Sequence, residues 1–90
     1  MKNLKLLRNL TLRQLRVFLA AARHLSFSKA AEELNLTAPA VSMQIKEMEN
    51  DLGVEVFNRT GRRVELTTAG EYFLVYAKRV AATLREAEIT

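Results

Sequence analysis

Apolar residues recur along this chain at two different intervals, and the change of interval divides it. Between Leu12 and Met48 they fall three and four apart, between 54 and 66 they tighten into short β-type runs, and from Phe73 they return to helical spacing. Thr11 with Gln14 has capping-box spacing, and Leu12, Leu15, Phe18, Leu19 and Ala22 follow as the core face of a helix ending near His24. Arg13, Arg16 and Arg23 fall largely off that stripe.

Two shorter helical patterns come next, separated by a tight turn. Ser28 is the expected cap of the first, whose inner face is Ala30, Ala31 and Leu34. Asn35 is placed to stop it, because asparagine tolerates the left-handed conformation, and Leu36 plugs the turn. Thr37 is the next cap, and Pro39 falls in a first turn that needs no amide hydrogen from it. This second helix is expected over residues 38–51, with Val41, Ile45 and Met48 inside. The spacing is that of a helix-turn-helix.

Beyond Gly53, which should end that helix, the pattern predicts a two-stranded wing: residues 54–58, a turn around Arg59, Thr60 and Gly61, then residues 62–66. Thr68 and Glu71 form another possible capping box for a last helix over residues 68–88. Within it Phe73, Ala77, Val80, Leu84 and Ala87 alternate at four and three, a heptad seam, while Leu74 and Tyr76 widen the apolar face. Such a seam either packs back on its own domain or pairs with a second chain. Its length favours pairing.

Composition narrows the function. Ninety residues, 49% of them hydrophobic, make one modest domain. With no cysteine there is no disulfide or thiolate metal site, which suits a cytoplasmic protein, and no apolar run approaches a membrane span. The net charge of +4 is unevenly spread: residues 1–31 hold seven Lys or Arg and no acid, residues 32–90 seven basic and ten acidic residues. One-sided charge attracts polyanions. Residues 1–10, MKNLKLLRNL, are basic and leucine-rich, yet lack the long apolar centre and cleavage site of a secretory signal; a basic arm or an extension of the first helix fits better than a membrane anchor. His24 and Asp51 are the only residues of their kinds, which leaves no constellation for nucleophilic or metal chemistry, and His24 is more simply a helix C-terminal residue facing the dipole. Scattered glutamates beside Lys and Arg look like ordinary solvated charges. No enzyme, cofactor or metal is expected.

The outward face of the second helix of the pair, Ala38, Ala40, Ser42, Met43, Gln44 and Lys46, is neither bulky nor strongly charged, as close approach to base edges requires. Taken alone, it also fits any solvated helix. Arg59, Arg62 and Arg63 concentrate at the wing tip, where arginine suits a minor groove or its phosphates. Hairpin tips are commonly charged for solubility, but beside a helix-turn-helix the DNA role is the better explanation.

Together these segments are specific. LRQLRVFLAAARHLSFSKAAEELNLTAPAVSMQIKEMENDLGVEVFNR followed by LTTAG resembles the N-terminal domain of LysR-type bacterial transcriptional regulators, through the SFSKAAEEL run, Pro39 with Val41 and Ser42, the turn at residues 51–53, Phe57 with Arg59, and the run at 66–70. The resemblance implies a mainly α fold: a winged helix-turn-helix of three helices and a two-stranded β wing at residues 11–67, preceded by a basic extension at 1–10. A long linker helix at 68–90 follows, through which two chains dimerise by Phe73, Ala77, Val80, Leu84 and Ala87. It further implies a partner, double-stranded promoter DNA, and tetramers in a full-length protein with an effector domain beyond these residues. By the same resemblance Ser28, Ala38, Pro39, Ala40, Ser42, Met43, Gln44 and Lys46 face DNA, with Arg59, Arg62 and Arg63 in the wing; Lys29 and Thr37 are counted with them. Many relatives have glutamine in place of Ala38 and arginine in place of Met43, so apolar contact with thymine methyls and DNA shape are expected to carry more of the recognition here. Within the family, RHLSFSKAAEEL with PAVSMQIKEME is most similar to regulators of carbon-fixation (RuBisCO) operons. The competing reading is a winged-helix module that binds other proteins.

Overall fold

A computed structural model describes residues 5–60 and 63–89. The first residues of the basic arm, Gly61 of the expected wing turn and Arg62 of the expected second strand lie outside the described residues. In chain order the elements are α1 (Lys5–Asn9), α2 (Leu12–His24), α3 (Phe27–Leu34), α4 (Ala38–Leu52), β1 (Phe57–Thr60), β2 (Arg63–Leu66) and α5 (Thr68–Ile89).

Local chemistry sets most of the boundaries. The Thr11 hydroxyl accepts from the Gln14 amide and the Gln14 side chain accepts from the Thr11 amide, so the capping box forms as expected. The extended backbone of Thr11 (ψ 158°) also separates α1 from α2, so residues 5–9 are a helix of their own rather than an extension of α2. Leu6 and Leu10 hold this short helix against the core. Leu25 ends α2 and Asn35 ends α3, both left-handed at φ 51° and 58°, and Gly53 ends α4 at φ 79°. Asn35 and Gly53 match the sequence expectation; Leu25, a branched side chain in that region, does not announce itself in sequence.

Two caps shift by one or two positions. Ser26, not Ser28, caps α3: its hydroxyl accepts from the Lys29 amide at 3.1 Å, and Ser28 lies exposed within the first turn. Thr67, not Thr68, caps α5. Its hydroxyl accepts from the Gly70 amide at 2.9 Å and donates to the Glu55 carbonyl at 2.7 Å, so the Thr68–Glu71 box does not form. Close packing fixes that register, because a Cβ on Gly70 would lie 2.0 Å from the Val56 carbonyl oxygen.

The core is built around α2. Phe18 is fully buried, with the rings of Phe57 and Phe73 centred 5.5 and 5.1 Å away. Val17, Ala20 and Ala21 are buried too, since α3, α4 and α5 all pack on this helix, so its buried surface is wider than one stripe. Leu12, assigned to that stripe, is instead 58% exposed. Gln14 is the buried polar residue, and its amide donates to Glu47 at 3.3 Å. Val41, Ile45 and Met48 of α4 are completely buried, as their spacing predicts, each contributing about 1.5–3 kcal/mol by leaving water.

The hairpin is antiparallel, pairing Phe57 with Leu66, Asn58 with Glu65, Arg59 with Val64 and Thr60 with Arg63. It starts later than residue 54 because the Val56 and Phe57 amides are taken by the Glu49 carboxylate (2.9 and 3.3 Å) and the Val56 carbonyl by the Thr67 amide (3.0 Å). Glu49 is therefore a structural clamp rather than an ordinary surface charge, and Arg59 and Thr60 are paired strand residues rather than turn residues.

Helix α5 divides the heptad seam. Phe73 packs on Phe18 and Ala77 is 1% exposed against its own domain, whereas Val80 and Leu84 stand 44% and 42% exposed. Among the described residues no helix is long and apolar enough to cross a membrane. Replacing Thr67 with alanine removes the α5 cap and should lower stability by about 1 kcal/mol, while Thr68→Ala should change it little. Urea melts of the two variants measure this; equal effects would contradict the cap assignment.

Candidate nucleic-acid interface

Because Val41, Ile45 and Met48 face inward, the rotation of α4 fixes what faces out. Successive residues turn by about 100°, which puts Pro39, Met43 and Lys46 farthest from the core, and all three are exposed, Met43 at 58%. Ala38, Ala40 and Ser42 are half-buried on the two flanks. Gln44 is also half-buried, with its Oε1 out of solvent and unmet by any donor among the described residues, so it does not share the outermost strip. The Thr37 hydroxyl accepts from the Ala40 amide at 3.2 Å, which occupies it as the helix cap.

The neighbouring elements also carry exposed polar and charged residues. Ser28 and Lys29 are exposed in the first turn of α3, and Arg63 is exposed on β2. Arg59 does not reach toward the hairpin tip. Its guanidinium meets α3 and α4, donating from Nη1 to the Ser42 hydroxyl at 3.1 Å and lying over the Phe27 ring, 4.7 Å from its centroid. Of the residues singled out from sequence, Ser42 and Arg59 are thus brought into contact side chain to side chain from two different elements. Arg62 lies outside the described residues. Phe27 went unremarked in the sequence, although an aromatic residue directly after the Ser26 cap is a visible signal for a ring held at a helix start.

A second cluster lies at the α2–α3 corner. Glu33 accepts from Arg23 and meets His24 Nε2 at 2.7 Å, so His24 faces a carboxylate as well as a helix end. Among the described residues no acidic or histidine cluster could hold a metal ion.

Residues 12–71 match the sequence profile of the family described as "Bacterial regulatory helix-turn-helix protein, lysR family". The chain belongs to the LysR family. It is 49% identical over 80 residues to the RuBisCO operon transcriptional regulator of Allochromatium vinosum, covering 89% of this chain and 26% of that protein. It is also 49% identical over 82 residues to the HTH-type transcriptional regulator CfxR of Cupriavidus necator, covering 91% of this chain and 26% of that one. The chain therefore spans about a quarter of the length of these relatives, which are named as regulators and not as enzymes. Among solved structures it is similar to the CbnR DNA-binding domain in a crystal structure with DNA, with a TM-score of 0.83 and 34% identity over 88% of this chain and 91% of that one. The mainly helical fold with a two-stranded wing and long last helix, and the likeness to carbon-fixation regulators, are as the sequence resemblance implied.

The Glu33 carboxyl is held below its ordinary value of 4.5, first by the hydrogen bond from Arg23 and then by the one from His24. A lowered native value means that the unfolded chain takes up the proton first, so the stabilisation is complete above about pH 4.5 and is lost as pH falls through the native value. Thermal melts of the parent and Glu33→Gln should therefore differ at neutral pH, the parent being more stable, and converge in acid. A gap that stays constant with pH would trace the effect to something other than the carboxylate's charge.

Proposed function

We propose that this domain binds double-stranded promoter DNA as a two-fold dimer, with α4 in a major groove and the β1–β2 wing beside the neighbouring minor groove. The observation that carries the reading is the exposed strip of Pro39, Met43 and Lys46, flanked by small Ala38 and Ala40 and met at Ser42 by Arg59 of the wing. A surface this shallow lets a helix approach base edges closely. The relative with the same fold, CbnR, has been crystallised with DNA. In this reading residues 11–67 are the DNA-binding unit, residues 68–90 the dimerisation helix and residues 1–10 a basic extension.

Lys29, Lys46, Arg62 and Arg63 supply phosphate affinity, together with Thr37 and Ser28 at the helix starts. Ala38, Pro39, Ala40, Ser42, Met43 and Gln44 supply discrimination. Fluorescence-anisotropy titration with a random-sequence duplex at two salt concentrations tests the reading: affinity should fall steeply with salt. Binding that ignores salt, or none, would favour the protein-interaction module. Lys46→Ala should weaken all sequences about equally and reduce the salt slope by about one, whereas Ser42→Ala should change which duplex is preferred. Promoters of RuBisCO operons are the first natural sites to assay, given the names of the relatives.

Dimerisation is assigned to the part of the seam that its own domain leaves uncovered. Val80 and Leu84 stand exposed for a second chain, with Ala87 next along the same seam, and Leu12, Leu15 and Leu19 of α2 line an apolar groove beside Leu84 and Ala87. Phe73 and Ala77 then support the interface from beneath. Leu84→Glu should leave the monomer folded and shift sedimentation toward the monomer, whereas Ala77→Glu should destabilise the domain itself. An unchanged sedimentation profile for Leu84→Glu would refute this assignment.

A further inference from the structure

We propose that Arg59 is a positioning residue for base discrimination: braced on Phe27, it holds the Ser42 hydroxyl so that Ser42 acts as a hydrogen-bond donor to an acceptor on a base edge. The inference rests on the DNA-binding reading above and gives the wing a task beyond contributing charge.

Three features fix the guanidinium. The Arg59 backbone is paired with Val64 in the hairpin, its Cζ lies over the Phe27 ring, and Nη1 reaches the Ser42 hydroxyl. Phe27 is itself braced, its ring edge-on to Phe57 at 5.4 Å and 85°, and Phe57 is a core residue only 2% exposed. The support thus runs from the core through two rings to one hydroxyl on α4.

The consequence for Ser42 follows from its bonding capacity. A guanidinium can only donate, and a serine hydroxyl has one proton and two lone pairs. Arg59 occupies a lone pair and leaves the proton free. A hydroxyl inside a helix ordinarily turns that proton onto the carbonyl four residues back. Thr83 does so, donating to Arg79 at 2.8 Å, but among the described residues Ser42 makes no such bond to Ala38. Ser42 is left with an unused proton on the flank of α4 beside small Ala38, suited to purine N7, guanine O6 or thymine O4.

The test uses the 90-residue chain with Ser42→Ala, Arg59→Lys, Arg59→Met and the Ser42→Ala/Arg59→Met double variant, checked for folding by circular dichroism. Each is incubated with a library of randomised duplexes, and the bound fraction is sequenced. Ser42→Ala and Arg59→Met should each reduce discrimination about tenfold at the same one or two base positions, and the double variant should lose no more than either single one. Arg59→Lys keeps the charge but loses the planar fork; it should retain the parent's salt dependence on a random duplex while losing the same discrimination. Phe27→Leu should reproduce that loss from a residue outside the α4 strip. Additive losses, losses at different base positions, or a parent-like preference in Arg59→Lys would overturn the proposal. A parent chain with no salt-sensitive binding would instead overturn the DNA-binding reading on which it stands.

Discussion

Rotation of α4 about its own axis is the constraint on which the surface depends, and it is set by a short stretch of backbone. Asn35 turns the chain through a left-handed conformation, the Leu36 amide bonds back to the Ala31 carbonyl at 2.8 Å, and Thr37 caps the new helix. With start and direction fixed, Val41, Ile45 and Met48 can reach the core together only at one rotation. A turn of one residue, about 100°, would bring Ser42 inside and strip water from a hydroxyl while exposing three core side chains. The unfavourable terms all point the same way, so the outer strip is specified by the inner one.

A second line of contacts carries that geometry outward. Glu49, one residue beyond Met48, accepts the amides of Val56 and Phe57, so the end of α4 dictates where the hairpin begins. Val56 then accepts from Thr67, and Thr67 caps α5 while donating to Glu55. Helix α4, the wing and the long helix thus share one hydrogen-bonded junction, closed by the approach of Gly70 to Val56. A carboxylate accepting two backbone amides makes charge-assisted bonds, stronger than neutral ones. Hairpins of this size are marginal alone, and the wing is held because both its ends are tied to helices.

Legibility in the sequence followed the range of the interaction that decides each feature. Asn35, Thr37, Gly53 and the Thr11–Gln14 box act within four residues, and their placement was readable. Ser26 and Ser28 offer the same hydroxyl, and so do Thr67 and Thr68; the choice within each pair accompanies contacts distant in sequence, Phe27 against Phe57 and Gly70 against Val56. Long side chains were the least legible. Periodicity places the Cα of Glu49 and Arg59 but not the tip, and each tip travels to a partner seven or more residues away. The same reason explains the seam: a 4-3 spacing is equally suited to Phe18 of its own domain and to another helix, and α5 uses Phe73 and Ala77 for the first.

The chemistry of the candidate surface divides between groups that attract and groups that select. Among the described residues the ion pairs are those of Glu33 with Arg23 and His24, so Lys29, Lys46 and Arg63 make no direct ion pair there. Exposed cations of this kind act over roughly a Debye length, about 8 Å at physiological ionic strength, and carry little directional information. Met43, unbranched and polarizable, adapts to an apolar surface without specifying an angle. Directional selection on α4 therefore falls to groups whose orientation is fixed before any ligand arrives. The Thr37 hydroxyl accepts from the Ala40 amide at the helix start and the Ser42 hydroxyl from Arg59 on the flank, each keeping its proton. Ordering a flexible side chain on binding works against affinity, so a hydroxyl already held by a braced guanidinium discriminates at less entropic cost than a long, unheld polar side chain.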